Sequence, residues 1–289
     1  MFMKKVLIIA NSADKYTSIV RTLSDANTDV SVCSYKELCF TIDGDQSSII
    51  RYGDKADIKE FSKILVLSTS PNHLQNYIFS ALACYCRKYD IPMLDDSFSN
   101  TDGKLYALWR FWENNIPVAK TFFGPMDFMI EKITELGEKG ILKSVQGTKG
   151  RDNYLINSPD ILRKTINNNP EKSFILQNFI PNNGDWRIIL ANYNPELAIY
   201  RSSHGKDYRN NTSVGGDAKL IPLERVDPKI LDLSINASKA LSIKIAGADI
   251  MRNDKTGEYT VLEVNRTPQL VTGAFTDEKQ KVIRNLIRS

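Results

Sequence analysis

Residues 247–268, "GADIMRNDKTGEYTVLEVNRTP", read as two strands joined by a polar turn, with two carboxylates and an amide oxygen spread along them. "TVLEVN" alternates apolar and non-apolar residues, so as a strand it puts Glu263 and Asn265 on one face and Leu262 and Val264 on the other. "AGADIM" is the partner strand, and "NDKTGE" makes the turn because Asn, Asp and Gly accept the backbone angles it needs. Antiparallel pairing places Asp249 directly opposite Glu263 if the connection is odd or carries a bulge, and on the diagonal if it is even and regular. In either register three oxygen donors converge. Two carboxylates in one small site repel each other unless a cation or a proton intervenes, and magnesium takes such a set of hard oxygens, with manganese as the other candidate. The alternative is an exposed hairpin bearing ordinary surface acids.

The chain around this stretch has 289 residues, enough for about two domains of ordinary size. With 42% hydrophobic and 25% charged residues and no low-complexity tract, it has the composition of a folded globular protein. The longest apolar runs, "VLIIA" and "KILVLS", fall far short of the ~18 residues a membrane span needs, and no signal-peptide pattern opens the sequence. A cytoplasmic protein without membrane contact is expected. Cys33, Cys39, Cys84 and Cys86 lack zinc-ligand spacing and read as reduced structural cysteines. The net charge of +4 suits a protein that handles anions such as nucleotide phosphates. Its basic residues are scattered without a basic-aromatic motif, so nucleic acid is not expected as a partner.

The first segment alternates strand and helix: "KKVLIIA", "DKYTSIVRTLSDA", "VSVCSY", "KILVLS", "NYIFSALACYCRKY" and "IPMLD" predict a small parallel sheet ending near Asp96. No GxGxxG follows the first strand, so a Rossmann dinucleotide fingerprint is missing. From Asp102 come the helix "KLYALWRFWENN", "IPVAKTFF", a helix around "DFMIEKITELGEKG" and the hairpin "GILKSVQGTKGRDNYLINS". After "SFILQNFIP" the chain turns strand-rich through "DWRIILANY" and "LAIYRSS". A long polar loop, a helix near "ILDLSINASKALSIK" and the hairpin at 247–268 follow. Three lobes are expected, 1–98, 99–176 and 177–289, the second and third sharing a site. The closing "TDEKQKVIRNLIRS" is an amphipathic helix whose default partner is its own chain; self-association as a homo-oligomer stays open.

In the hairpin "GILKSVQGTKGRDNYLI", Lys143 ends one strand and Tyr154 begins the next. Gly147 and Gly150 let backbone amides turn toward an anion, and Lys143 and Lys149 add charge. It is not a Walker A loop, which needs Lys directly after its last Gly and a helix behind it. A glycine-containing surface hairpin is the alternative.

Taken in order, Lys143, "GTKG", "ILQNFI", "DWR", "AIYR", "RNNTSVGG", "GADI" and "LEVNRTP" resemble the ATP-grasp superfamily, and within it ligases of the RimK and LysX types. The order of eight elements, rather than any one of them, carries the resemblance. It implies an α/β protein of ATP-grasp fold: a small parallel N-terminal domain followed by two α+β lobes that sandwich ATP. It makes Lys104 and Lys143 nucleotide-binding lysines and the segment with Gly147, Thr148 and Gly150 a flap over the triphosphate. Gln177, Asn178 and Phe179 would meet adenine, largely through backbone groups, and Asp185 would be a further nucleotide contact. Arg187, Arg201, Arg209 and Asn211 match positions that hold phosphate or the activated carboxylate, and Asp249, Glu263 and Asn265 match magnesium ligands. Two positions depart from the pattern. Asn178 stands where the family usually has an acid, and Arg266 stands where small residues usually follow "EVN". Arg266 is expected to aim at an anionic substrate, since guanidinium holds carboxylates bidentately; an outward surface charge is its alternative. His204, just before Arg209, is a candidate substrate contact, with a partnerless surface histidine as its alternative.

The implied activity is ATP-dependent ligation of a carboxylate to an amine on an amino acid, peptide or protein, through an acylphosphate. The chain has two histidines, no GxSxG elbow and no HExxH motif, in keeping with chemistry that needs no protein nucleophile. A non-catalytic ATP-binding module and a small-molecule kinase on the same fold are the competing readings.

Overall fold

The computed structural model describes residues 3–67, 73–96, 103–137, 139–145, 152–202, 217–266 and 268–288. Apolar runs bounded by turns become the first sheet. It comprises β1 (Lys4–Ala10), β2 (Thr28–Ser34), β5 (Lys63–Val66) and β6 (Met93–Leu94), all parallel, in the order β2-β1-β5-β6. Helices α1 (Asp14–Leu23) and α2 (His73–Lys88) make its crossovers. β1 is buried on both faces, which is why it reads as an unbroken apolar run instead of an alternation. A two-stranded ribbon, β3 (Leu38–Thr41) with β4 (Ser48–Arg51), is inserted here without having been expected from the sequence. Four-residue strands give period-2 alternation too few repeats to stand out.

The second sheet is antiparallel, with β7 (Thr121–Phe122), β8 (Gly140–Ser144), β9 (Asn153–Ile156) and β10 (Phe174–Asn178) in the order β7-β10-β8-β9. Helices α4 (Met126–Ile133) and α5 (Pro159–Asn167) cover it, the latter opened by Ser158, whose hydroxyl accepts from the Ile161 amide. β10 runs through the boundary expected at 176/177. Helix α3 (Lys104–Glu113) contributes Phe111 to the core of the third sheet rather than to that of the second.

The third sheet carries β11 (Asp185–Ala191), β12 (Asn194–Ser202), β13 (Asp217–Ile221), β14 (Ile245–Arg252) and β15 (Tyr259–Asn265). Its order is β13-β12-β11-β14-β15, antiparallel throughout. One face packs Ile188, Leu190, Ala198, Ala246, Ala248 and Ile250 against α6 (Pro228–Ala240). The other face is divided. Ile189, Ala191, Ile199 and Ile245 pack against α7 (Thr276–Arg288) and the β1 face of the first sheet, while the far ends of the same strands carry charged residues.

α7 therefore packs on its own chain, as the default for that helix predicts. It buries Val282, Ile283, Leu286 and Ile287, each worth roughly 1.5–3 kcal/mol as transfer from water. Lys63 Nζ donates to the carbonyl of Leu286 and Lys4 Nζ to that of Ile287, each at 3.1 Å, so cations from β5 and β1 satisfy the negative end of the helix dipole. Asp95 makes a second tie. Fully buried at the end of the first sheet, it accepts the backbone N–H groups of Lys244 and Ile245 where β14 begins.

Candidate functional site

Strand alternation assembles the site. In "DWRIILA" the residues Asp185, Arg187, Ile189 and Ala191 share one face of β11, so the polar end of that face continues directly from its apolar end. β12 brings Arg201 opposite Asp185, and β14 brings Asp249 opposite Arg187. Arg187 grips Asp249 bidentately, Nε to Oδ1 and Nη2 to Oδ2, both at 2.8 Å. Arg201 lies between two acids: its Nε donates to Asp185 Oδ1 at 2.9 Å, its Nη2 donates to Asp185 Oδ2, and that Nη2 is 3.1 Å from Asp249 Oδ2.

These side chains are nearly sealed from water, with Arg201, Asp185 and Asp249 only 4–5% exposed and Arg187 15% exposed. Burial alone would push both acids up, and it does so for Asp185. For Asp249, burial is outweighed by Arg187 and Arg201, which hold its carboxyl below the usual range. Arg201 is buried as well, yet the charges of Asp249 and Asp185 raise its pKa further above its ordinary value.

The register condition left open by the sequence is resolved by a bulge. The turn between β14 and β15 spans six residues, 253–258, and an even turn alone would set Asp249 on the diagonal. The ladder shifts between Asp249 and Ile250, leaving Leu262 as the extra residue, and Asp249 lands directly opposite Glu263 while Gly247 faces Asn265. The same bulge corrects the expected pairing of Leu262 with Val264 on one face, since the core takes Val261 and Val264 instead. Asn265 Nδ2 donates to Glu263 Oε1 at 2.8 Å. Gly247 cannot be larger: a Cβ there would lie 2.8 Å from Pro268 Cβ and 3.6 Å from Arg187 Nε, so its absence lets the segment after β15 close beside Arg187.

The second sheet supplies the opposite wall. Lys143 on β8 and Lys104 at the start of α3 both have pKa values lowered by burial. The charge of Glu263 offsets part of that lowering in each, and Lys104 adds to it for Lys143. Lys104 Nζ also reaches the Val145 carbonyl at 3.4 Å. A cation from β8, a second from α3 and an acid from β15 thus share one field. On β10, Gln177 is buried and spends its side-chain N–H on Thr121 Oγ1 at 2.8 Å. Asn178 and Phe179 donate their backbone N–H groups to Lys120 and Lys139. The side-chain Oδ1 of Asn178 is buried with no hydrogen-bond partner among the described residues.

Asp185, expected as a nucleotide contact, is spent on Arg201. Arg266 is buried, and its charge acts on Asp95, whose carboxyl is pushed up to about 6 by burial and drawn back by Arg266 and the two backbone amides. Gly147, Thr148 and Gly150 lie outside the described residues, as do His204, Arg209 and Asn211. Among the described residues no three His, Cys, Asp or Glu side chains converge as a set that could hold a metal ion.

Two buried groups were missed in the sequence. Asp95 gave no signal, because a carboxylate that caps strand amides looks like any loop acid. Lys279 did give one. It occupies the first place of the buried stripe 279, 282, 283, 286, 287, where helical spacing calls for an apolar residue.

Residues 116–288 match the family model described as the RimK-like ATP-grasp domain. A curated protein of Parasynechococcus marenigrum named a probable alpha-L-glutamate ligase is 30% identical over 162 residues, covering 54% of this chain and 33% of that protein. The chain spans between a third and about half of the length of the first curated relatives it matches. Among solved structures, the ATP-grasp ligase PsnB complexed with minimal precursor superposes with a TM-score of 0.74 at 15% identity, covering 98% of this chain and 97% of that one. A RiPP-associated ATP-grasp ligase from Chryseobacterium gregarium, in complex with ADP and a leader and core peptide, gives 0.72 at 13% identity, covering 99% and 97%. These likenesses show the ATP-grasp fold. The chain belongs to the RimK-like ATP-grasp family.

Proposed function

We propose that this chain is an ATP-dependent ligase that joins a carboxylate to an amine. The observation that carries the proposal is the single field shared by Lys143 and Lys104 on one wall and Glu263 on the other, beside the buried cluster of Arg187, Arg201, Asp185 and Asp249. A lysine from β8, another from α3 and an acid-amide pair on β15 suit a triphosphate and its counter-ion. The partnerless Asn178 Oδ1 suits the exocyclic amine of adenine.

The residues fit magnesium. Asp249 Oδ1 receives one hydrogen bond and keeps a lone pair, Glu263 lies directly opposite, and the Asn265 amide has its N–H turned to Glu263, which leaves its oxygen as a donor. Asp249, Glu263 and Asn265 would hold the ion, with manganese the alternative, and it would supply charge neutralisation at the phosphates. Lys143 and Lys104 bind the triphosphate from the opposite wall. In the first step a carboxylate oxygen bonds to the γ-phosphorus as the bond to ADP breaks. In the second the amine nitrogen bonds to the acyl carbon, phosphate leaves and the nitrogen gives up a proton. Negative charge shifts onto the transferring group in both steps, and Arg187, held in place by Asp249, is the guanidinium positioned to meet it.

The relatives named glutamate ligases and the neighbours solved with peptides support an amino acid or peptide as substrate. No helix among the described residues is long and apolar enough to cross a membrane, and we place the activity in the cytoplasm. The test is release of ADP and phosphate with magnesium and ATP across amino acids, dipeptides and acidic peptides. Release that requires both a carboxylate and an amine is the expected result. ATP binding without turnover under every pair would make the chain a binding module, and phosphate retained on the product would make it a kinase.

A further inference from the structure

Lys279 lies in the first turn of α7 and is 5% exposed. Its Nζ donates to the carbonyl of Thr272 at 3.0 Å and packs on Gly273, where a Cβ would stand 3.7 Å from it. This is a costly place for an ammonium. It is buried near the positive end of a helix dipole, and burial, with the charge of Arg187 second, lowers its pKa to about 8. The stripe it belongs to is otherwise Val282, Ile283, Leu286 and Ile287, so a methionine would pack there without that cost. Nor does Thr272 need the bond. It is an exposed residue, and water satisfies a carbonyl that it can reach. What the bond adds is a fixed position for the segment that carries that carbonyl.

That segment, 268–275, is held at both ends. At its start Pro268 is buried against β14: a Cβ on Gly247 would lie 2.8 Å from Pro268 Cβ and 3.6 Å from Arg187 Nε, so proline, strand and guanidinium meet around one point. At its far end stand the Lys279–Thr272 bond and a second bond, from the Lys279 backbone N–H to the Phe275 carbonyl. Between them Leu270 is sunk in the core, and the Thr272 amide closes a turn onto the Gln269 carbonyl. Gln269 and Phe275 take left-handed backbone angles, φ 57° and 60°, and Gly273 takes a third at 79°. Residues with side chains keep such angles where the surroundings impose them. A segment with neither strand nor helix is thus pinned in one conformation, with its first residue beside an arginine of the site.

We infer that Lys279 is a positioning residue for the ligation: through the Thr272 carbonyl it holds segment 268–275, so that Pro268 stays seated on Gly247 and keeps Arg187 where it meets the transferring group. This rests on the ligase reading for the role of Arg187. Asp249 sets the direction of the guanidinium through Nε and Nη2, and the Pro268 contact bounds the space around Nε. Misplacing a group that stabilises charge by about 1 Å costs on the order of a hundredfold in rate, so a modest loosening of the segment is measurable.

The experiment measures kcat, the KM for ATP and the urea midpoint of the full chain, using a carboxylate and amine pair that supports ADP release. Wild type is compared with Lys279→Met, Gly247→Ala and the double variant. Lys279→Met is expected to lower kcat about tenfold to a hundredfold while the KM for ATP stays within about twofold. Its midpoint is expected to hold or rise at pH 7, because the lowered pKa means that the charged ammonium costs stability below about pH 8. Gly247→Ala pushes Pro268 directly and is expected to lower kcat in the same way. The double variant is expected to lose no more than the worse single one, because both changes act through Pro268. Hydrogen exchange followed by NMR reads the segment without turnover: the Thr272 amide is expected to exchange at least about tenfold faster in Lys279→Met, while Ile283 and Leu286 in α7 keep their wild-type rates. Wild-type kcat in Lys279→Met, additive losses in the double variant, or unchanged exchange at Thr272 overturns the inference. A midpoint that falls in step with kcat overturns it too, since Lys279 would then serve the fold alone. No release by wild type with any pair overturns the ligase reading instead, and the exchange rates then decide whether Lys279 holds the segment.

Discussion

Asp95 and Asp249 meet the same strand four residues apart and have opposite fates. Asp95 receives the amides of Lys244 and Ile245 at the apolar end of β14, and burial pushes its carboxyl up to about 6. Asp249, inside β14 at the polar end, is equally buried and yet stays low, because Arg187 and Arg201 close on it. The apolar end holds the first domain, α7 and the third sheet together. The polar end spends stability on charges that need one another. Depth of burial is alike at the two ends, so the partners supplied by β11 and β12 decide which end can do chemistry.

The largest expected effect is on turnover. Glu263→Ala removes an acid that faces Asp249 and whose charge reaches both lysines, but the side chain is only half-buried. ADP release should fall about a thousandfold or more, while stability changes by no more than about 1 kcal/mol. Wild-type turnover at saturating magnesium would remove Glu263 from the site. Unfolding of the variant would instead assign it to the fold.

Asp249→Ala should do both. It leaves Arg187 without its carboxylate and Arg201 with Asp185 alone in a sealed environment, and loss of one partner from a buried ion cluster costs about 3–5 kcal/mol. Chemical denaturation of this variant beside Asp249→Asn measures the cost. A loss under 1 kcal/mol would mean that Arg187 and Arg201 find water on their own, and that the polar end is more open than its exposure indicates.

The sequence disclosed the two ends unequally. Alternation in "TVLEVN" was readable because period 2 sets Glu263 and Asn265 on one face, and their convergence with Asp249 followed from pairing that strand with "AGADIM". The bulge at Leu262 was not readable, since nothing in that residue type asks for an extra position in the ladder; only the geometry of the six-residue turn against the sheet demands it. The Arg187–Asp249 pair depends on β11 lying beside β14 and joins residues 62 apart in the chain, and local pattern carries no such information. Asp95 was silent for the same reason, as its partners are backbone amides about 150 residues away.

The pH dependence of stability sharpens the contrast, with opposite signs at the two ends. For Asp95 the folded pKa of about 6 lies above the ordinary carboxylate value, so the folded state holds a proton that the unfolded chain releases between roughly pH 4 and pH 6. Its contribution is therefore gained as pH falls through 6 and lost as pH rises. For Asp249 the folded pKa is lowered, so its contribution is present above the ordinary value and is lost as pH falls through the folded pKa. Relative to Asp95→Asn, wild type should gain about 2–3 kcal/mol between pH 7 and pH 4 in urea unfolding. Parallel curves for the two proteins would show that the backbone amides and Arg266 hold Asp95 ionised after all.

The smallest effect is expected from a single methylene at the apolar end. Ile189 lies on the face of β11 that carries Arg187, two residues further along, and it is fully buried against α7 and the first sheet. Ile189→Val keeps the β-branch and the strand preference and removes one methylene from a packed core, which costs about 0.5–1.5 kcal/mol. If the two ends are mechanically separate, kcat and the KM for ATP stay at wild-type values while the denaturation midpoint drops. A fall in kcat larger than the stability loss explains would mean that packing under α7 sets the position of Arg187. The polar end would then be an extension of the apolar core, with the same strand transmitting strain from one to the other.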